Sequence, residues 1–132
     1  MNAFLIELDD KVGEVARIAE AIAAKDINIS GFSGSTAGGK GSVVLLVEDE
    51  AGTRTALKSL GCSFKEVEVT QVPLPNVPGS LAKATRRLAD AGINIEAALP
   101  MGMEGNNITV GFATSDPAKT KSILTTAGAA SA

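Results

Sequence analysis

Apolar residues fall into two rhythms along this chain. Phe4, Ile6 and Leu8 alternate with Leu5 and Glu7, the period of a strand with one apolar face. Asp9 and Asp10 end that run, and over residues 12–24 the apolar positions Val15, Ile18, Ala19 and Ile22 recur at the spacing that lays a single helical stripe on a sheet. Arg17, Glu20 and Lys25 fall off the stripe, as a solvated face requires. Ile27 and Ile29 open a second strand with Asn28 between them on the opposite face, running to about Phe32. Residues 33–42 are glycine and serine rich and read as a flexible hairpin loop. Val43 to Val47 is apolar without alternation, which predicts a strand covered on both faces or central in its sheet. Asp49 and Glu50 suit the start of a second helix whose inner face is Ala56, Leu57 and Leu60 and whose stop is Gly61.

The second half repeats this order. Val72 and Leu74 correspond to Ile6 and Leu8. A helix over about residues 78–91 turns Leu81, Ala84, Thr85 and Leu88 inward, and Gly92 stops it. Residues 93–99, a loop over 100–107 carrying Met101 and Met103, and residues 108–113 predict another hairpin. Asp116 and Pro117 suit the N-cap and first residue of a last helix with Ile123, Leu124 and Ala127 inside. Gly13 and Gly79 lie 66 residues apart, as do Asn28 and Asn94, so an internal duplication explains the pattern. Between the copies, residues 62–74 read as extended, but Val67 and Val69 keep one phase and Val72 and Leu74 the other. Such a slip predicts a bulge or a junction of two strands, and places the boundary near Thr70, with modules over 1–69 and 70–132. After Gly128 only four residues remain, so the second copy is expected to lack its final strand.

Asn76, Pro78-Gly79, Leu81 and Ile93-Asn94-Ile95, with their counterparts in the first copy, resemble the ACT domain. That resemblance implies an α+β fold of two tandem ferredoxin-like βαββαβ modules, antiparallel sheets with helices on one face, covering nearly the whole chain. It also implies regulation by a bound amino acid, held between paired modules by the turn before the first helix of one and the polar residue of the second strand of the other. Carried over by position, the ligand-binding residues are Asn76, Val77, Gly79, Ser80, Leu81 and Asn94, with Asp10, Val12, Gly13, Glu14, Val15 and Asn28 in the first copy.

The residues themselves suit that task. Glycine leaves the backbone uncovered at the opening of a helix, where the dipole favours a carboxylate. Each asparagine offers a donor and an acceptor, which a zwitterion's two charged groups require. The copies differ, however. The first lacks the proline and has Asp10 where the second has Asn76, which favours an ammonium; two residues before, where the resemblance implies a polar residue, stand Leu8 and Leu74, and that departure leans toward an apolar ligand side chain.

Composition narrows the alternatives. A net charge of −3, with four Phe and neither Trp nor Tyr, supplies neither the field nor the stacking surface for nucleic acid, and no attraction to an anionic membrane. There is no histidine, and the lone Cys62 reads as a small apolar residue at a strand start, so neither a metal site nor another cofactor is expected. Residues 34–40 fit the spacing of a phosphate-binding loop. Gly41 replaces the hydroxyl that would hold magnesium, though, and a strand follows where a helix is needed. No nucleophile, base and orienter can be assembled, so the chain is expected to be non-catalytic. The apolar N-terminus reaches Asp9-Asp10 too soon for a signal peptide, which leaves the cytoplasm. In the ferredoxin-like order, loss of the last strand would leave the first strand of the second module, with Pro73 in it, at an edge, and this predicts a homodimer. The expected partners are thus a small-molecule amino acid, a second copy and a regulated enzyme or regulator. The alternative is an interaction or oligomerisation module whose ligand sites have degenerated.

Overall fold

A computed structural model describes residues 1–131, with side chains through Thr125, and divides the chain into two compact units, Met1–Val67 and Glu68–Ala132. The first unit contains β1 (Asn2–Asp9), α1 (Glu14–Ala23), β2 (Ile29–Ala37), β3 (Lys40–Val47), α2 (Glu50–Ser59) and the start of β4 (Phe64–Pro75). Its strand order is β2-β3-β1-β4, with β3 antiparallel to both neighbours. This is the ferredoxin-like order. Register explains the core: Phe4 faces Leu45 and Ile6 faces Val43, so all four side chains share one face of the sheet. Ile18 and Ile22 of α1 and Ala56 and Leu57 of α2 pack on that face, which puts both helices on the same side.

In the second unit the remainder of β4 is followed by α3 (Ser80–Asp90), β5 (Ile95–Glu104), β6 (Asn107–Thr114) and α4 (Pro117–Ser131). The order is β4-β6-β5, antiparallel throughout. Val72, Leu74, Val110 and Phe112 meet Ala84 and Leu88 of α3 and Leu124 of α4. Among the described residues this unit has no fourth strand, its chain going from β6 into α4. The expected inward position of Ala127 lies outside the residues whose side chains are described. Pro100 lies on β5, the edge strand, beside a register shift, whereas the edge position expected for the strand of Pro73 is not found: β4 has β1 and β6 as its neighbours.

Three further sequence expectations are corrected. Both hairpins are longer than residue composition suggests: residues 33–37 belong to β2, and 100–104 to β5. The first hairpin turns on two residues, Gly38 and Gly39, whose φ values of 61° and 79° give the left-handed pair that matches strand twist, so pairing continues to Ala37 and Lys40. Lys40 is therefore a strand residue. The slip at residues 67–72 is neither a bulge nor a break between strands. β4 is one twelve-residue strand in which Phe64 serves the first core and Val72 and Leu74 the second, all on one face, while Val67 and Val69 fall on the opposite face, so the change of apolar phase is a change of face. Lastly, the helices begin at Glu14 and Ser80, later than the periodicity implied. Val15 and Leu81 thus occupy first turns that project beyond the core and are 52% and 55% exposed. Ile18 and Ala84 are the first residues of each helix to be covered.

The Arg54 guanidinium on α2 grips the Glu66 carboxylate of β4 through two hydrogen bonds of 2.6 Å. This contact, with help from Asn2, holds the Glu66 carboxyl below its usual value of 4.5 against the opposing effect of burial. A depressed folded value contributes stability above the unfolded value and loses it as pH falls through the folded one. Thermal unfolding followed from neutral pH to below 4 is therefore expected to show a steeper acid loss for the wild type than for Glu66→Gln.

Candidate open turns before α1 and α3

Each unit has one helix whose N-terminus is closed by its own side chains and one left open. The Asp49 carboxylate accepts from the Gly52 amide at 2.9 Å and caps α2; Asp116 accepts from Lys119 at 3.0 Å and caps α4. α1 and α3 have no such cap. Their N-cap residues are Gly13 and Gly79, with φ, ψ of 90°, −4° and 91°, −11°. The same left-handed conformation in both units requires glycine, and a Cβ at either position would meet nothing within 4 Å. The backbone approach to both helix openings is clear, with the dipole's positive end facing outward.

Side chains around the openings are exposed and partly apolar. Val12 has no cover, Val77 is 61% exposed, and Asn76, Pro78 and Gly79 are exposed with it. The Asn76 amide donates to the Asn106 carbonyl at 2.9 Å, which anchors the second turn to the β5–β6 connection. In the first turn Glu14 is taken up by its own neighbours, Arg17 at 3.1 Å and Lys11 at 3.8 Å. The Arg17 hydrogen bond is the main reason the Glu14 carboxyl titrates below its usual range.

The two asparagines stand just before β2 and β5 and make matching backbone contacts. The Asn28 carbonyl accepts from the Glu48 amide at 3.2 Å, and that of Asn94 from Ser115 at 3.0 Å. Their side chains differ. Asn28 Nδ2 donates to Glu48 at 3.2 Å, whereas Asn94 borders an open cavity of about 770 Å³ lined by Lys83, Thr85, Arg86 and Ala89 of α3. The lining of the cavity beside Asn94 does not include the turn before α3.

In the first unit Asp10, Lys11, Glu14 and Val15 instead border a cavity of about 380 Å³ whose other wall is the β2–β3 hairpin: Phe32, Gly34, Ser35, Thr36, Gly41 and Ser42. Composition reads residues 33–42 as a loop, which hides Gly34, Ser35, Thr36, Gly41 and Ser42 as a wall of this cavity. The paired glycines at 38 and 39 are the signal that could have recovered them. Among the described residues no helix is long and apolar enough to cross a membrane.

The chain is similar to known proteins in a way that agrees with this architecture. Residues 3–61 match the family model described as the ACT domain. No curated protein matches. Among solved structures, protein BT0572 from Bacteroides thetaiotaomicron is 26% identical, with a TM-score of 0.76 over 96% of this chain and 87% of that one. The regulatory subunit of aspartate kinase from Thermus flavus has a TM-score of 0.70 at 20% identity, over 98% and 90% of the two chains. Its counterpart from Thermus thermophilus, in a ligand-free form, has 0.63 at 18%, over 96% and 90%. The last two are likenesses of fold. Residues 3–61 of this chain are thus similar to the ACT domain, and among the described residues the second unit repeats the first unit's order of strands and helices short of the final strand.

Proposed function

We propose that this chain is a non-catalytic regulatory protein of two ligand-binding modules, 1–69 and 70–132, that captures an amino acid at the open turns. Asn76, Val77, Gly79, Ser80 and Leu81 form one turn, and Asp10, Val12, Gly13, Glu14 and Val15 the other. Asn94 and Asn28, just before β5 and β2, are the polar residues that a facing module presents to the ligand. The observation that carries this reading is the contrast in capping. α2 and α4 are closed by aspartates, while α1 and α3 have uncapped starts on glycines of the same strained conformation. An uncapped helix start leaves donors for a carboxylate, and the exposed Val12, Val15, Val77 and Leu81 offer apolar contact beside them. Ligand held there favours one arrangement of the protein, which a partner enzyme or regulator reads. The ACT domain match and the likeness of fold to kinase regulatory subunits support the role.

The test is a thermal-shift panel over the twenty amino acids, followed by far-UV circular dichroism because the chain has neither Trp nor Tyr. One amino acid, or a chemically related few, is expected to raise the midpoint by several degrees. A flat panel at millimolar concentrations contradicts the proposal.

A second copy of the chain completes this reading. β5 ends the strand order of the second unit and is paired only with β6, and such an edge can pair with another chain. Light scattering on size-exclusion fractions is expected to give the mass of a dimer. A monomer at every concentration removes this part.

A further inference from the structure

The first unit contains an apolar chamber between α1 and the strands β2 and β3. Its volume is about 250 Å³, with Ile18, Val43 and Leu45 as buried walls and Val15 and Phe32 at an exposed lip. Beside it the β2–β3 register slips between Ile29 and Gly31, as the β5–β6 register does between Ile95 and Ala97. The extra residue rotates Phe32 to the position opposite Leu45, on the face of the sheet that carries the core, but on the outermost strand, where it is 69% exposed. Ala19 is too short to reach across from α1. In the second unit the corresponding pair is exchanged: Ala98 stands on the outer strand and Phe112 opposite it on the inner one, fully buried. There the aromatic ring is part of the core; here it borders the chamber.

The chamber shares Val15, Phe32 and Val43 with the cavity bordered by the turn before α1, so apolar and charged compartments adjoin. Of the charged groups at that mouth, Glu14 is held by Arg17 and Lys11. Asp9 and Asp10 are exposed carboxylates beside it. We infer that the first unit binds a small molecule with a primary ammonium on a branched aliphatic or aromatic tail, the ammonium at Asp10 and the tail in the chamber between α1 and Phe32. A chamber below the roughly 300–1,000 Å³ of a drug-sized site suits one such tail. Leucine and phenylalanine have this chemistry, and so do the free amines derived from them. Only the choice of the amino acid as source rests on the function proposed above.

The experiment compares leucine, phenylalanine, isopentylamine, 4-methylpentanoate and serine by thermal shift on the full chain in the Gly79→Asp background, which leaves the turn before α1 as the open one. Leucine or phenylalanine is expected to raise the midpoint by several degrees. Serine is expected to raise it by none, and the carboxylate without ammonium to bind about tenfold or more weakly. Ala19→Leu, which fills the chamber from α1, should keep the fold and remove the leucine shift. Asp10→Asn should weaken leucine and isopentylamine alike without altering the unliganded midpoint. A leucine shift unchanged in Ala19→Leu, or matched by serine, overturns the inference while leaving amino-acid binding intact. Isopentylamine binding without any amino-acid response upholds the chamber and contradicts the proposed function. No shift with any compound overturns both.

Discussion

Phe112→Ala is expected to destabilise the second unit by about 3–5 kcal/mol, and Phe32→Ala to cost under about 1 kcal/mol, though each removes the same ring from paired strands. Phe112 is fully buried between Val72, Leu88 and Leu124, so truncation leaves a cavity that the sheet cannot collapse to fill. Phe32 spends most of its surface in water already. A unit of this size has little stability in reserve, and losing 3–5 kcal/mol would bring it close to unfolding at about 25 °C. Urea unfolding read by circular dichroism checks the contrast. Equal midpoints for the two variants would mean that the second core is not built around that ring.

Placing aspartate at both Gly13 and Gly79 is expected to abolish the amino-acid stabilisation, which at a hundred times the dissociation constant amounts to about 2.7 kcal/mol in the parent protein. Each substitution puts a side chain into the left-handed region, at a cost of about 1–2 kcal/mol. Each also presents a carboxylate to the helix opening, where it takes the donors and repels the ligand's own. The matching alanine variants carry the backbone strain without the charge. They are therefore expected to fall in unliganded midpoint yet retain part of the shift. A full response in the double aspartate variant would place the ligand elsewhere.

Much of the architecture was legible because the informative residues are local. Ile18 and Ile22, Ala84 and Leu88, and the strand pair Phe4 and Ile6 announce their elements through spacing alone, and the duplicated glycine and asparagine mark the same two points in each copy. The errors came where long-range pairing overrides composition. Residues 33–37 and 100–104 look like loop, yet they extend hairpins because turns at 38–39 and 105–106 keep the strands in register. Val15 and Leu81 obey helical spacing, but nothing in the sequence says that the sheet ends before their turn. The chamber beside Phe32 depends on how α1, β2 and β3 come together, and the exchange of ring and methyl between Phe32–Leu45 and Ala98–Phe112 depends on register. Neither is readable before strands are paired.

The central claim is that the uncapped starts of α1 and α3 receive the ligand's carboxylate. Backbone amide NMR during titration with the stabilising amino acid tests it most directly. The largest shifts are predicted at Glu14, Val15 and Ala16 or at Ser80, Leu81 and Ala82, with the capped amides of Gly52 and Lys119 unmoved. Shifts absent from both openings and concentrated at the capped helices would contradict it.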